Sequence, residues 1–293
     1  MLKPPLQPML LFEIEKPFNS PDYIFELKWD GYRALAFIND NNLLLQSRNQ
    51  KNLTPYFSEL KSITSLFKGT NAVLDGEICY LNRDGKPVFE KLQGRIWQKK
   101  SNIKYPVTYI TWDILGLNNN DLTRTPLLER KKILQNYIQE SNRLKRSKYI
   151  KEKGKELYEM AEEEGLEGIV AKKVNSPYEF KRSKYWYKIK IWQYTTAVIV
   201  GFTRDKEALL VGKYLKDNNK ISFMGRVKIA LNEAEKKALF RFLPTLKVKK
   251  PPFKVRHKQG ISWVKPAIQC KVKYTEITSN NTFRHGFVVK LKI

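Results

Sequence analysis

The sequence predicts an α+β chain in two parts, the second a small β-barrel of the OB type. Strand-like and helix-like patterns mix irregularly as far as Lys190. Beyond it come short β-rich runs broken by a single helix, the make-up of a small barrel that often serves nucleic acid. Charge density changes at the same place. Residues 193–293 carry 22 Lys+Arg against 6 Asp+Glu, a balance of +16, while residues 1–192 carry 33 against 23, a balance of +10. The expected domains are therefore 1–192 and 193–293.

Taken in order, Phe25–Phe37 alternates as a strand, a turn and a second strand, and Ala72–Leu81 is another strand region. Thr108–Leu115 is apolar and β-branched. Thr125-Pro126 then opens a helix over Leu127–Gln139, with proline in its first turn. A further helix over Gly154–Glu164 is stopped by Gly165. In the second part, strands are expected at Thr195–Thr203, Leu209–Leu215, Ile221–Val227 and Ile268–Ile277. Lys216-Asp217-Asn218-Asn219 is expected to turn between two of them, and Leu231–Phe242 to supply the one helix.

The 293 residues include 42% hydrophobic ones, enough for a real core and too many for a disordered chain. No apolar run approaches the roughly 18–20 residues that span a bilayer. Met1–Pro5 lacks the apolar stretch of a secretion signal. Cys79 and Cys270 are the two cysteines, which excludes a disulfide framework or a cysteine zinc cluster and suits a reduced, cytoplasmic setting. The net charge is +26. An Asn- and Lys-rich composition accounts for part of it, yet acidic residues lag far behind. A nucleic acid is the expected partner, and a membrane surface is not.

The chemistry-bearing residues come in an ordered set. Glu26-Leu27-Lys28-Trp29-Asp30-Gly31-Tyr32-Arg33 places a lysine in a tight turn. Gly31 would let the backbone approach a phosphate or ribose, and Arg33 would offer its fork to an anion. Leu74-Asp75-Gly76-Glu77 ends a strand on a carboxylate, and Trp112 sits within an apolar strand. Glu167 opens Gly168-Ile169-Val170-Ala171-Lys172. Trp186-Tyr187-Lys188-Ile189-Lys190 alternates, so both lysines share one strand face. Singly these have ordinary explanations: tryptophans as core, carboxylates as solvated groups, lysines as a surface edge. The histidines, His257 and His285, read as surface or packing residues, and Cys79 as an inert buried thiol.

In this order and spacing, however, the set resembles the covalent nucleotidyltransferases, and most closely the ATP-dependent DNA ligases. Lys28–Arg33 matches motif I, Ser47-Arg48 motif Ia, Asp75–Glu77 motif III and Trp112-Asp113 motif IIIa. Glu167–Lys172 matches motif IV and Lys188–Lys190 motif V. Gly165–Lys172, Ser176-Pro177-Tyr178, Arg182-Ser183, Tyr274–Glu276 and Phe283–His285 look like the ligase domain of bacterial ligase D.

That resemblance implies an adenylation domain of antiparallel sheets with flanking helices, followed by an OB-fold barrel. It implies a monomer that seals nicks in duplex DNA with ATP and Mg²⁺, Mn²⁺ being an alternative ion. Lys28 would take AMP, and Lys188 and Lys190 would hold the α-phosphate. Glu77 and Glu167 are hard oxygen donors suited to the metal. Trp112 would stack on adenine with Ile169 on the opposite face, Glu26 would contact the adenine amino group, often through the main chain, and Leu27 would be among the nucleotide-binding residues. Arg33 and Arg48 would grip ribose and nick phosphate, and Arg182, Arg284 and Lys292 would contact DNA. The length leaves no room for ligase D's other modules, so a stand-alone ligase is expected, in double-strand break repair with a Ku-type partner. The closing motif VI is matched only in part, with Lys292 where arginine is common and Gly286 where proline is usual. An RNA ligase or a GTP-dependent mRNA guanylyltransferase would share the lysine chemistry, and a non-catalytic nucleic-acid clamp is the rival of a different class.

Overall fold

The computed structural model describes residues 2–98, 105–215, 220–251, 253 and 260–292. Contacts divide it into two compact units, Met1–Ile191 and Trp192–Ile293. The first runs β1 (Leu10–Glu13), β2 (Ser20–Leu27), β3 (Tyr32–Asn39), β4 (Asn42–Ser47), β5 (Asn71–Tyr80), α1 (Glu90–Gln98), β6 (Val107–Leu117) and β7 (Asn120–Asp121). It continues α2 (Leu127–Tyr137), β8 (Leu144–Arg146), β9 (Tyr149–Glu152), α3 (Gly154–Glu163), β10 (Gly168–Lys173) and β11 (Arg182–Lys190).

Two sheets result. One has the order β1-β11-β10-β2-β9, antiparallel except where β1 joins β11 in parallel. The other has the order β4-β3-β5-β6-β7, with β8 added to β6 in parallel. Strand alternation distributes the core over three layers. Leu35, Phe37 and Val73 of the second sheet pack with Ile24 and Trp186 of the first. Ala34, Ala36 and Ile38 point the other way, onto Leu60, Ile63, Leu134 and Ile138. This double burial explains why Ala34–Ile38 is a continuous apolar run. The far side of the first sheet is closed by α3, whose Leu157 and Ala161 meet Phe25, Ala171 and Ile189. The helix ends where Gly165 takes φ +65°. Leu166 N donates to Ala161 O at 2.8 Å and Gly165 N to Glu162 O at 3.0 Å, the paired bonds of a left-handed cap. A 3-10 helix, Ser58–Leu66, and α1 form where the sequence pattern predicts no element.

The second unit comprises β12 (Gln193–Thr203), β13 (Ala208–Tyr214), β14 (Ile221–Ile229), α4 (Glu233–Phe242), β15 (Ile261–Trp263), β16 (Gln269–Tyr274), β17 (Glu276–Ile277), β18 (Phe283–Arg284) and β19 (Phe287–Lys292). The order β13-β14-β19-β16-β12 closes through β12–β13 pairing, and β14–β19 is the parallel seam. This is the OB-type barrel, with α4 between its third and fourth strands. Ile199, Val211, Val227, Leu239, Val272 and Val288 lie in its core. Asn232 and Glu235 cap α4 reciprocally. The single strand expected at Ile268–Ile277 is divided: Thr275 N bonds Arg284 O at 3.1 Å, and β17 pairs with β18 instead. The turn at 216–219 and His257 lie outside the described residues. No helix among the described residues is long and apolar enough to cross a membrane.

Candidate active site

Lys28 lies between β2 and β3. Its N–H donates to Gly168 O at 2.9 Å, tying the turn to the start of β10. A Cβ on Gly31 would stand 2.2 Å from Ile78 O, so only glycine lets the turn lie flush on β5, the strand that carries Glu77. On β2, β10 and β11 the register sets Glu26 beside Val170 and Lys188, Ile24 beside Lys172 and Trp186, and Gly168 beside Lys190. These residues alternate away from the α3 side and form one wall of a cleft. From the other sheet come Arg33, paired in register with Glu77, and Asp75, paired with Asp113. The β5–β6 register shifts between Asp75 and Gly76. Trp112 is the extra residue of that bulge, a device that re-aims a side chain.

The cleft is dense in charge. Lys28 Nζ donates to Glu167 Oε2 in an ion pair. Glu77 is buried, and burial lifts its pKa to about 8, with Glu167 and Asp30 adding to the rise and Lys28 and Arg33 opposing it. Arg33 forks onto Asp75, Nε to Oδ1 at 3.0 Å and Nη2 to Oδ2 at 2.7 Å. Glu26 Oε1 accepts from Lys131 Nζ at 2.5 Å and Lys172 Nζ at 3.0 Å. Burial raises the Glu26 pKa, but the two ammoniums outweigh it and the net shift is downward. Lys172 shares its carboxylate with Lys131, and burial brings its pKa down to about 8. Its ammonium stands 5.1 Å from the Trp112 ring and 4.4 Å from Trp186. Burial also lowers the pKa of Lys190. Lys188 Nζ is 3.0 Å from Glu13 Oε2.

Lys28 and Glu167 thus act electrostatically on both Glu77 and Lys190, and Arg33 acts on Glu77. Ile169 does not join them. It is buried with Phe25, Leu157 and Ile189 on the α3 side, so the expectation that it faces the base is corrected: half-buried Val170 occupies the cleft side of β10. Leu27 also packs toward the α3 side. Arg48 stands in an exposed turn after β4. Arg182 bonds Leu11 O and lies 5.7 Å from the Phe12 ring. Lys292 Nζ bonds Thr196 Oγ1 at 2.9 Å, Arg284 Nη1 bonds Glu276 at 2.6 Å, and His285 Nδ1 lies 3.3 Å from Thr275 Oγ1. Sequence reasoning missed Lys131, Lys172 and Val170 as cleft residues. For Val170 and Lys172 the signal was the alternation of β10 itself.

A family model described as the ATP dependent DNA ligase domain matches residues 8–190, and one described as the ATP dependent DNA ligase C terminal region matches residues 202–293. The chain belongs to the ATP-dependent DNA ligase family. This ligase is 36% identical over 200 residues to the SPbeta prophage-derived DNA ligase-like protein LigB of Bacillus subtilis, which covers 68% of the chain and 72% of that protein. It is 28% identical to the multifunctional non-homologous end joining protein LigD of Pseudomonas aeruginosa, over 96% of this chain but 34% of LigD. The ligase therefore spans about a third of that relative's length. Among solved structures, mycobacterial DNA ligase D complexed with ATP and MES matches with a TM-score of 0.59 and 28% identity, over 98% of this chain and 95% of that one.

Two features of the ligase's cleft suit a nucleotide and a metal. The Trp112 indole N–H is buried with no partner among the described residues, a donor that a ligand can meet. Glu77 and Glu167 are neighbouring carboxylates of which one is held partly neutral by burial, a donor pair that a divalent cation would compensate. Among the described residues no group of three or more His, Cys, Asp or Glu could hold a metal, so phosphate oxygens or water would have to complete its shell.

Proposed function

We propose that this ligase seals 5′-phosphate/3′-hydroxyl nicks in duplex DNA through a lysyl-AMP on Lys28 and a DNA-adenylate. The observation that carries the reading is Lys28 at the cleft, bonded to Glu167 and beside Glu77. In the first step the Lys28 amine, having lost a proton, forms an N–P bond to the α-phosphate as the bond to the β-phosphate breaks. AMP then passes to the 5′-phosphate of the nick. The 3′-hydroxyl finally displaces AMP and closes the strand. Such transfers depend on positioning and charge neutralisation more than on covalent assistance. Lys188 and Lys190 share the cleft face with Gly168 and Val170, where they would receive phosphate oxygens. Trp112 and Val170 would enclose the adenine. Glu77 and Glu167 would hold Mg²⁺, or Mn²⁺ in its place, and the ion would neutralise phosphate charge.

The lysines of the second unit would bind the duplex through its phosphates without reading sequence. Similarity to a protein named for non-homologous end joining extends the proposal to double-strand break repair beside a Ku-type end-binding protein in the bacterial cytosol. Sealing of a nicked duplex supplied with ATP, GTP or NAD tests the core reading. Sealing with ATP alone is expected. Label transfer from GTP only would establish a guanylyltransferase, and sealing confined to RNA nicks an RNA ligase.

A further inference from the structure

Two Arg–Asp forks, with both carboxylates fully buried, stand on neighbouring strands. Arg33 grips Asp75 of β5. Arg130 of α2 grips Asp113 of β6, Nε to Oδ1 at 2.8 Å and Nη2 to Oδ2 at 2.9 Å. Asp75 and Asp113 are cross-strand partners. Both forks end on one short segment between β10 and β11. Ser176 O accepts from Arg130 Nη1 at 3.0 Å. The Tyr178 hydroxyl donates to Asp75 Oδ2 at 2.8 Å and lies 3.4 Å from Arg33 Nη2. It also accepts from Met9 N at 3.0 Å. Every capacity of that hydroxyl is engaged, and Tyr178 is buried, its ring edge-on to Trp186 at 5.7 Å.

The consequence falls on Arg33. Nε and Nη2 of its guanidinium are committed to Asp75, and its Cζ lies 5.5 Å from the Trp112 ring. Asp75 is restrained a second time, because its Oδ2 accepts from the Tyr178 hydroxyl as well as from Arg33 Nη2. Burial, and then the Asp75 charge, push the Tyr178 pKa well up, so its proton stays on the oxygen and the bond persists. A guanidinium held by two of its nitrogens offers its remaining Nη1 edge in a single orientation. We propose that Tyr178 is a positioning residue which, through Asp75, aims Arg33 at the nucleotide. The proposal rests on the reading of the cleft as the adenylation site and gives a role to the Ser176-Pro177-Tyr178 segment.

The test is a double-mutant cycle on the full chain, with labelled AMP transfer to the protein followed at varied ATP concentration in Mg²⁺. Tyr178→Phe keeps the ring and removes the hydroxyl. It is expected to raise the half-saturating ATP concentration about tenfold, the scale of a hydrogen bond to a charged group, with the maximal rate changed less than about threefold. In an Arg33→Ala background the same substitution should add nothing, because its route of action is gone. Multiplying effects in the double variant, or an unchanged ATP dependence in Tyr178→Phe, would overturn the proposal. A Tyr178→Phe chain that fails to fold would also overturn it, by making the hydroxyl a requirement of the core. Label transfer by the unaltered chain is the control: if that fails, the adenylation reading is lost and not this one.

Discussion

In the first unit Arg130, Lys131 and Lys172 are buried and Arg33 nearly so, and each answers to a named carboxylate: Arg33 to Asp75, Arg130 to Asp113, and Lys131 and Lys172 to Glu26. In the second unit Lys271 and Lys290 are cross-strand partners of like charge, both exposed. A pair such as Arg226–Asp205 there is 4.0 Å long and mostly solvated. The two arrangements suit different ligands. Burying a charge costs desolvation that only directed partners offset, so buried cations are held in place and can meet one small molecule with fixed geometry. Solvated lysines keep their hydration and sum as a field, which suits a repeating phosphate chain.

This contrast can be broken at several points, beginning with the largest effect. Lys28→Ala should abolish labelled AMP on the protein altogether, since no other group would form the N–P bond. AMP retained by that variant would remove Lys28 from the chemistry. Glu77→Ala and Glu167→Ala should each slow sealing on the order of a hundredfold, the cost of losing one preorganised electrostatic group. Wild-type rates at saturating Mg²⁺ would reduce both to solvated carboxylates.

The second unit should respond by degree, with salt as the probe. For roughly 6–10 phosphate contacts, log affinity for a nicked duplex should fall with log salt at a slope of about −5 to −9. Replacing Lys271 and Lys290 together by alanine should make the slope shallower by about 2. An unchanged slope would mean that this face of the barrel does not meet the phosphates.

The smallest effect concerns Lys172, and it is read as stability. Burial holds its folded pKa at about 8, below the ordinary lysine value of 10.5. Between those values the unfolded chain binds the proton and the folded chain does not, so this group's contribution to stability rises as pH increases through the window. Below about pH 8 both states hold the proton and the contribution is at its minimum. Lys172→Met should remove about 1–3 kcal/mol of that pH-dependent rise, measured by urea unfolding at pH 7.5 and 10. Identical pH dependence in variant and parent would place Lys172 in water.

Much of this molecule could be read in its residues before any coordinates. The strand–turn–strand around Lys28 follows from alternation broken by Asp30-Gly31, and α3 ends at Gly165 because glycine alone enters φ +65° without cost. The last hundred residues read as a barrel because their apolar runs are short and a single helix interrupts them. Local periodicity and turn chemistry decide such features within a few residues of chain. Less legible was the break at Thr275, where a hydrogen bond to Arg284 nine residues away competes with continuation of the strand.

The sequence by itself determined the order of the chemistry-bearing residues, the two-part layout and the turn that presents Lys28. Alternation in β10 also determined that Ile169 and Val170 point to opposite sides. Only the tertiary structure decided which side is the cleft, because both faces of that strand are covered, one by α3 and the other by the facing sheet. The same holds for Glu26. Its ammonium partners, Lys131 and Lys172, are 105 and 146 residues away in sequence, and nothing local distinguishes them from the many solvated lysines of this chain. A lysine becomes part of a buried ion group only when packing removes its water and brings a carboxylate within reach, and that is a property of the assembled sheets.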